Sequence, residues 1–162
     1  MTRVYYDSCI FLHALNPENL EHHACNLVLD RTRISWVVCC SSELSISETN
    51  ERDFIGYLLL EWATYGIDVV DVPFALAQRE AQNHLQQKRA LRLLGFTGRD
   101  FKHLMAAVTA RAEMVCTADA DFIDPKNKAG AKGLKVKAYI EANFAPLTVS
   151  SARKLCQSCG FE

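Results

Sequence analysis

The stretch GRDFKHLMAAVTARAEMVCTADADF, residues 98–122, joins a helical pattern to a short strand that is followed by acidic residues. Apolar residues recur at helical spacing over 98–112, and the following EMVCT, residues 113–117, is a brief run typical of a buried strand. Asp119 and Asp121 come just after it. A helix that leads into such a strand is typical of α/β proteins with a parallel sheet, whose ligands bind beyond the carboxyl ends of the strands.

The same alternation of strands and helices extends over most of the chain. Strands are predicted at 3–6, 34–40, 67–72 and 113–117, with a short additional one around 134–137. Helices are predicted at 18–31, 43–50, 53–65, 74–94 and 98–112. The strand candidates are short apolar runs, as expected for strands that are buried on both faces. We therefore predict a three-layer α/β/α fold around a mainly parallel sheet of four or five strands.

Length and composition indicate one globular unit. A chain of 162 residues buries about 69% of its unfolded surface on folding, which is enough for a core without disulfides or structural metals. With 49% hydrophobic and 23% charged residues, it is not a disordered, collagen-like or coiled-coil protein. The net charge of −1 argues neither for nor against a nucleic-acid partner. We place the main domain at 1–145 and interpret 146–162 as a C-terminal appendage with a helix from about residue 150.

The apolar runs and the cysteines indicate a cytoplasmic protein that does not interact with membranes. No apolar run approaches the ~18 residues of a membrane span, and Asp7 interrupts the apolar N-terminus, so no signal peptide is expected. The seven cysteines are an odd number and include the adjacent pair Cys39–Cys40, which indicates reduced thiols. Cys156 and Cys159 have the spacing of half a zinc site or of a redox pair, but no second close pair completes four ligands. Their role stays open.

Four acids fall where a parallel sheet would bring them together. Asp7 follows the first strand, Glu48 lies in the helix after the second, and Asp119 follows the fourth. Asp100 begins the crossover helix that runs antiparallel to the strands, so it lies at the same edge. Clustered carboxylates repel each other, by about 4 kcal/mol at 4 Å and an effective dielectric constant near 20. Hard cations such as Mg²⁺ or Mn²⁺ relieve this repulsion and activate water, so the pattern favours metal-dependent phosphodiester hydrolysis.

Each of these acids also has a purely structural interpretation, which for Asp119 is the stabilisation of a turn. Asp7 stands where a helix N-cap would stand. Asp100 is spaced to complete a capping box with Thr97. Glu48 is spaced to complete a second one with Ser45.

Four segments occur in the order found in a known family. They are VYYDSCIFLHAL (4–15), SSELSISET (41–49), GRDFKHLMAA (98–107) and VCTADADF (115–122). With these segments the chain resembles the PIN-domain family, and most of all its VapC-like branch, the toxin ribonucleases of type II toxin–antitoxin pairs. The resemblance extends over most of residues 1–125 and implies a PIN-like fold together with metal-dependent cleavage of RNA.

The resemblance also implies roles for particular residues, with Mg²⁺ or Mn²⁺ as the cofactor. The acids that it implies as catalytic and metal-binding are Asp7, Glu48, Asp100 and Asp119, with Asp121 variably involved. Ser8 and Thr117 take the places of hydroxyls that support these carboxylates or a metal-bound water. The family further implies RNA as substrate, a homodimer and a small antitoxin as partner.

A lysine-rich run follows the acids. Residues 125–140 contain no acid, and we interpret them as a mobile loop that contacts RNA phosphates through Lys126, Lys128 and Lys132. An ordinary solvated surface is the alternative interpretation. Basic residues of the predicted helix 74–94 would extend this rim, namely Arg79, Lys88, Arg89 and Arg92.

Other functions stay open beside the toxin ribonuclease. One is a non-catalytic PIN scaffold that binds RNA or protein, and another is a PIN nuclease that processes RNA without being a toxin. A phosphatase-like hydrolase with Asp7 as nucleophile would need an acid two residues later, where Cys9 stands. The sequence contains neither GxGxxG nor GxxxxGK[ST], which disfavours kinases and dehydrogenases. His103, three residues after Asp100, is interpreted as a supporting or packing residue.

Overall fold

The computed structural model describes residues 2–49, 51–118 and 128–161, with only the backbone described for 33–35, 49 and 128–134. Its strands are β1 (Arg3–Tyr6), β2 (Val37–Cys40), β3 (Val69–Asp71), β4 (Met114–Thr117) and β5 (Thr148–Ser151). They form one sheet in the order β3-β2-β1-β4-β5, in which every neighbouring pair is parallel. The predicted α/β fold with a parallel sheet of five strands is confirmed.

Nine helices are present in the described ranges, and they cover both faces of the sheet. They are α1 (Ser8–Leu15), α2 (His22–Ser35), α3 (Ser42–Thr49), α4 (Arg52–Thr64), α5 (Phe74–Gln82), α6 (Leu85–Leu93), α7 (Gly98–Thr109), α8 (Lys128–Asn143) and α9 (Ala152–Cys159). Among the helices that the structure describes, none combines the length and apolar character that a membrane span requires.

The core lies on both sides of the sheet, as β1 illustrates. Successive side chains of a strand point to opposite faces, and Tyr5 belongs to a cluster with Leu104 and Met105 of α7. Val4 and Tyr6 belong to the opposite cluster, with residues of α1, α2 and α9. All three β1 side chains are 0% exposed. Burial on both faces explains why the strands are continuous apolar runs.

The strand order places a crevice beside the end of β1. Chain connections run outward in opposite directions from β1 and β4, so the gap beyond their carboxyl ends is the topological switch point of the sheet. The backbone N–H of Asp7 donates to the Cys116 carbonyl at 3.2 Å and holds the end of β1 against β4. Asp7 after β1 and Thr117 at the end of β4 therefore face one common crevice.

Two expectations about the C-terminal part of the chain are wrong. The segment 134–137 is not a strand, because it lies within α8, whose alanine, lysine and leucine residues are good helix formers. The fifth strand is instead β5, which pairs with β4 from Thr148 to Ser151. Residues 146–162 therefore contribute to the sheet and are not an appendage. The sequence of β5, TVSS, has a single apolar residue and lacks the apolar run by which the other strands are recognised.

The helix predicted at 74–94 is two helices. α5 ends at Gln82 and α6 begins at Leu85. Between them, His84 turns back to Glu80 of α5 at 2.9 Å and packs its ring 5.1 Å from that of Phe144. The break lets α6 run in a different direction from α5, so that α5, α6 and α7 enclose a groove.

The pair Lys137–Glu141 of α8 fastens this helix to β5. Lys137 donates to Glu141 and to the Val149 carbonyl, and Glu141 accepts the Val149 N–H at 3.1 Å. Partial burial alone would raise the pKa of Glu141, but the hydrogen bonds from Lys137 and Val149 outweigh it and lower the pKa below 4.5. A carboxyl with a lowered pKa in the folded state stabilises the fold above pH 4.5 and loses that effect as the pH falls.

We expect Glu141→Gln to lower the free energy of unfolding by about 0.5–1 kcal/mol near neutral pH, because the ion pair is partly solvated. Urea unfolding at a series of pH values should show this difference shrinking below pH 4.5. Glu18→Gln, at an exposed position, is the matched control and should differ little from wild type at any pH. A difference for Glu141→Gln that does not change with pH would contradict this account of the contact.

Candidate active site

Asp7 connects β1 to α1 and faces the switch-point crevice. Its backbone is extended and its Oδ1 accepts the Cys9 N–H at 3.3 Å, which makes Asp7 the N-cap of α1. The Thr117 hydroxyl at the end of β4 donates to the other oxygen, Oδ2, at 3.0 Å. The structural interpretation of Asp7 is therefore correct, and it does not compete with a chemical role. Two donors hold the carboxylate in one orientation at the crevice.

The crevice opens into a cavity of about 530 Å³, here called the acidic cavity. Its lining residues are Asp7, Ser8, Cys9, Leu12, Glu48, Thr97, Arg99 and Asp100. Three of the four acids assigned by resemblance thus reach one cavity from α1, α3 and α7. Asp119 and Asp121 lie outside the described residues, so their contribution stays a prediction.

Glu48 is held at the wall of the acidic cavity by a buried network. Both of its carboxylate oxygens lie 3.1 Å from His103 Nε2, and the Ser8 hydroxyl donates to Oε2. On the far side of the imidazole, Nδ1 lies 2.7 Å from the hydroxyl of Tyr5. Arg99 approaches Glu48 Oε1 at 3.7 Å from the cavity mouth. Glu48 therefore sits in this network as an oriented, ionised carboxylate.

The protonation states within this network support each other. Burial alone would raise the pKa of Glu48, but hydrogen bonds from His103 and Ser8 and the charges of His103 and Arg99 lower it. Burial would lower the pKa of His103, but its bond to Glu48 and the nearby carboxylates raise it. Nε2 of the imidazole faces Glu48 and lies 2.7 Å from the Ser8 hydroxyl, while Nδ1 faces Tyr5, so the ring links the carboxylate to β1.

Asp100 has both a capping and an electrostatic role. The predicted capping box is confirmed, because Thr97 Oγ1 accepts the Asp100 N–H while Asp100 Oδ2 accepts the Thr97 N–H. Burial raises the pKa of Asp100, and the charge of Asp7 raises it further against the effect of the Thr97 bonds. The second predicted capping box is wrong, because Ser45 lies within α3 and not at its start.

The donor chemistry of the acidic cavity fits a hard divalent cation. Burial, and to a smaller degree the charge of Asp7, raise the pKa of Asp100, and a bound cation would offset both effects. Among the described residues, no three His, Cys, Asp or Glu side chains come close enough together to hold a metal ion by themselves. Mg²⁺ is commonly bound by one or two carboxylates and several waters, so Asp7 and Asp100 suffice as protein ligands of this kind.

Sequence reasoning underestimated the residues that support the carboxylates. Tyr5 and His103 are 0% and 4% exposed, and their bond links β1 to α7 beneath Glu48. Cys9 also lines the cavity, with its sulfur 3.3 Å from the Thr117 hydroxyl and accepting the Ala118 N–H. Strand alternation places Tyr5 on the face opposite Val4 and Tyr6, but only the structure shows that α7 covers that face.

The predicted lysine rim is corrected in part. Residues from 128 onward are helical, so Lys128 and Lys132 lie in α8 and not in a loop. Lys126 lies outside the described residues. Contact of these lysines with RNA stays a prediction.

Comparison with solved structures finds the same fold in a crystallised complex. The match is to a chain of VapBC2 from Rickettsia felis bound to a DNA fragment from their promoter. It has a TM-score of 0.53 and 12% identical residues, and it covers 93% of this chain and 98% of the other. No protein-family model and no curated protein matches the sequence. At this identity the likeness concerns the fold, and the chain is an α/β protein of PIN-like architecture.

Proposed function

We propose that this protein is a metal-dependent ribonuclease of the PIN type and that it acts as the toxin of a toxin–antitoxin pair. The observation that carries the proposal is the convergence of Asp7, Glu48 and Asp100 on one cavity at the switch point of the sheet. Clustered carboxylates at such a place are typical of sites for hard cations and phosphate chemistry.

The proposed metal-binding residues are Asp7 and Asp100, with Asp119 and Asp121 completing the set beside Glu48. A bound Mg²⁺ or Mn²⁺ would supply Lewis acidity toward a phosphate oxygen and a water of lowered pKa. The chain itself supplies orientation. Thr117 and the Cys9 N–H fix the Asp7 carboxylate, and His103 and Ser8 fix Glu48.

Glu48 has the properties required to orient an attacking water. It stays ionised because His103 and Ser8 donate to it, and its side chain is 11% exposed at the cavity wall. An oriented, ionised carboxylate accepts a hydrogen bond from water and later its proton. Arg99, whose side chain is 70% exposed at the mouth, is placed to contact a substrate phosphate.

The toxin assignment rests on the whole-chain likeness to the VapBC2 complex together with the motifs at 4–15 and 98–122. The same proposal includes an antitoxin partner, a homodimer and a cytoplasmic location. A non-toxin RNA-processing nuclease would share the site and lack the antitoxin, and a non-catalytic scaffold would bind RNA without cleaving it.

We expect the purified chain to cleave single-stranded RNA in Mn²⁺ or Mg²⁺ and to stop when EDTA is added. Asp100→Asn should lower the cleavage rate by at least about 10²-fold, the usual effect of removing one electrostatic contributor from an active site. The asparagine oxygen can still accept the Thr97 N–H, so the capping box and the fold should persist. Gel assays of end-labelled RNA at enzyme excess provide the measurement.

Asp53→Asn, an exposed acid in the first turn of α4, is the matched control and should cleave like wild type. Cleavage that persists in EDTA, or an Asp100→Asn variant as active as wild type, would contradict the proposal. Metal-dependent RNA binding without any cleavage would instead identify the scaffold.

A further inference from the structure

We infer that a second depression, here called the basic groove, holds the single-stranded RNA strand next to the acidic cavity. It encloses about 560 Å³ between α5, α6 and α7. The polar and aromatic residues that define it are Gln78, Arg79, Gln82, Lys88, Phe101 and Lys102. The inference refines the proposed function. It rests on that function for one point, namely that the bound RNA strand is the substrate of the nuclease.

The charge of the three helices is strongly positive. Residues 74–109 contain six basic and two acidic residues, a net charge of +4 in a chain whose total is −1. One of the two acids, Asp100, faces the acidic cavity, and the other, Glu80, is paired with His84. The groove itself is lined by three cations and by no acid. This local excess of positive charge is what a polyanion requires.

Aromatic contacts place two of these cations on the walls of the groove. Lys88 Nζ lies 5.7 Å from the ring centroid of Phe101, and Lys102 Nζ lies 5.3 Å from that of Phe74. A cation–π contact positions an ammonium group without using its hydrogen-bond donors. Both lysines are exposed, so their donors remain accessible to phosphate oxygens.

The groove and the acidic cavity share one wall. Gly98 and Lys102 of α7 line the groove, while Thr97, Arg99 and Asp100 line the cavity. A strand that enters the acidic cavity therefore reaches the groove by crossing the first turn of α7. The positive charges lie along that path, ahead of the carboxylates that would otherwise repel the strand.

The remaining lining favours a nucleic acid over an acidic protein. Gln78 and Gln82 present exposed amides, which donate to and accept from base edges and 2′-hydroxyls. The large apolar side chains of the floor, Phe101 and Met105, are 3% and 0% exposed. Among the residues that line the groove, a protein partner would thus find no exposed large apolar anchor of the kind that dominates protein interfaces.

The test compares two double variants that remove the same charge. Lys88→Gln/Lys102→Gln removes two cations from the groove and keeps much of each aliphatic stem. Arg31→Gln/Arg52→Gln removes two exposed cations of α2 and α4 that do not line the groove. Binding of a fluorescein-labelled single-stranded RNA is measured by anisotropy in EDTA, where cleavage does not interfere, at several salt concentrations.

We expect the groove variant to reduce the magnitude of the log–log salt slope by about 1.4, or about 0.7 for each lost phosphate contact. At 0.1 M salt this corresponds to about 25-fold weaker binding. The control variant should stay within about twofold of wild type. Equal weakening by both variants, no effect of the groove variant, or no RNA binding by wild type would overturn the inference.

Two further outcomes separate this inference from others. Polyglutamate that displaces the labelled RNA more effectively than unlabelled RNA of equal charge would overturn the RNA assignment in favour of an acidic protein. Groove-dependent RNA binding by a chain that cleaves no RNA in Mn²⁺ would leave the groove standing and remove the proposed nuclease. If the groove variant cleaves and binds RNA as wild type does, the proposed nuclease stands and the groove is removed.

Discussion

Asp7→Asn is expected to lower the rate of RNA cleavage by at least about 10³-fold while the protein stays folded. The substitution removes the negative charge that would hold the cation. The asparagine oxygen can still accept the Cys9 N–H, and its NH2 group can donate to the Thr117 hydroxyl, which then changes from donor to acceptor. Asparagine caps helices about as well as aspartate. Single-turnover cleavage measures the first effect, and circular dichroism measures the second.

The metal-free stability of the same variants separates the chemical role of Asp7 from its capping role. Asp7→Asn should melt at or above the wild-type temperature in EDTA, because one of the three carboxylate charges that line the acidic cavity is gone. Asp7→Ala also loses the N-cap and should be less stable than Asp7→Asn by about 1 kcal/mol. A large drop in melting temperature for Asp7→Asn would mean that its charge is needed for folding and not for chemistry.

His103→Leu is expected to lower the free energy of unfolding by about 3 kcal/mol, the largest stability effect in the site. Leucine has a similar volume, so the loss reflects broken polar contacts more than a cavity. It leaves both the Glu48 carboxylate and the Tyr5 hydroxyl without their imidazole partner. Urea unfolding at neutral pH measures the difference.

Two companion variants test whether the loss arises from the network. Tyr5→Phe removes only the outer hydrogen bond and should cost about 1 kcal/mol. Glu48→Gln combined with His103→Leu should be more stable than His103→Leu alone, since no charge is then left uncompensated at the cavity wall. The network is not coupled in this way if His103→Leu lowers the free energy of unfolding by less than Tyr5→Phe does. The same conclusion follows if the effect of Glu48→Gln adds in full to that of His103→Leu.

The strands that are buried on both faces could be predicted from the sequence. So could the acids that come together at the ends of the strands. Burial on both faces makes β1, β2 and β4 continuous apolar runs, and the parallel arrangement brings Asp7 and Asp100 to one edge. The segment TVSS at 148–151 has a single apolar residue and so lacks that signal, whereas β3 at the opposite edge keeps two valines and was predicted. The break between α5 and α6 was missed because it depends on His84 contacting Glu80 and Phe144, which only the folded chain brings into place.

Part of the candidate site could not be predicted for a similar reason. The contact between Tyr5 and His103 joins residues 98 positions apart, and it depends on the face of β1 that α7 covers. Sequence spacing places His103 on the same side of α7 as Asp100, but it does not reveal which carboxylate the imidazole contacts. The groove cations Lys88 and Lys102 come from different helices, so no sequence motif marks them as neighbours.

The most direct test of the central claim is a calorimetric titration of the metal-free protein with Mn²⁺. If the acidic cavity is a divalent cation site built on Asp7 and Asp100, wild type and Asp53→Asn should give the same saturable binding, and Asp7→Asn/Asp100→Asn should show none at the same concentrations. The double variant must remain folded by circular dichroism for the comparison to count. Undiminished Mn²⁺ binding by folded Asp7→Asn/Asp100→Asn would contradict the account.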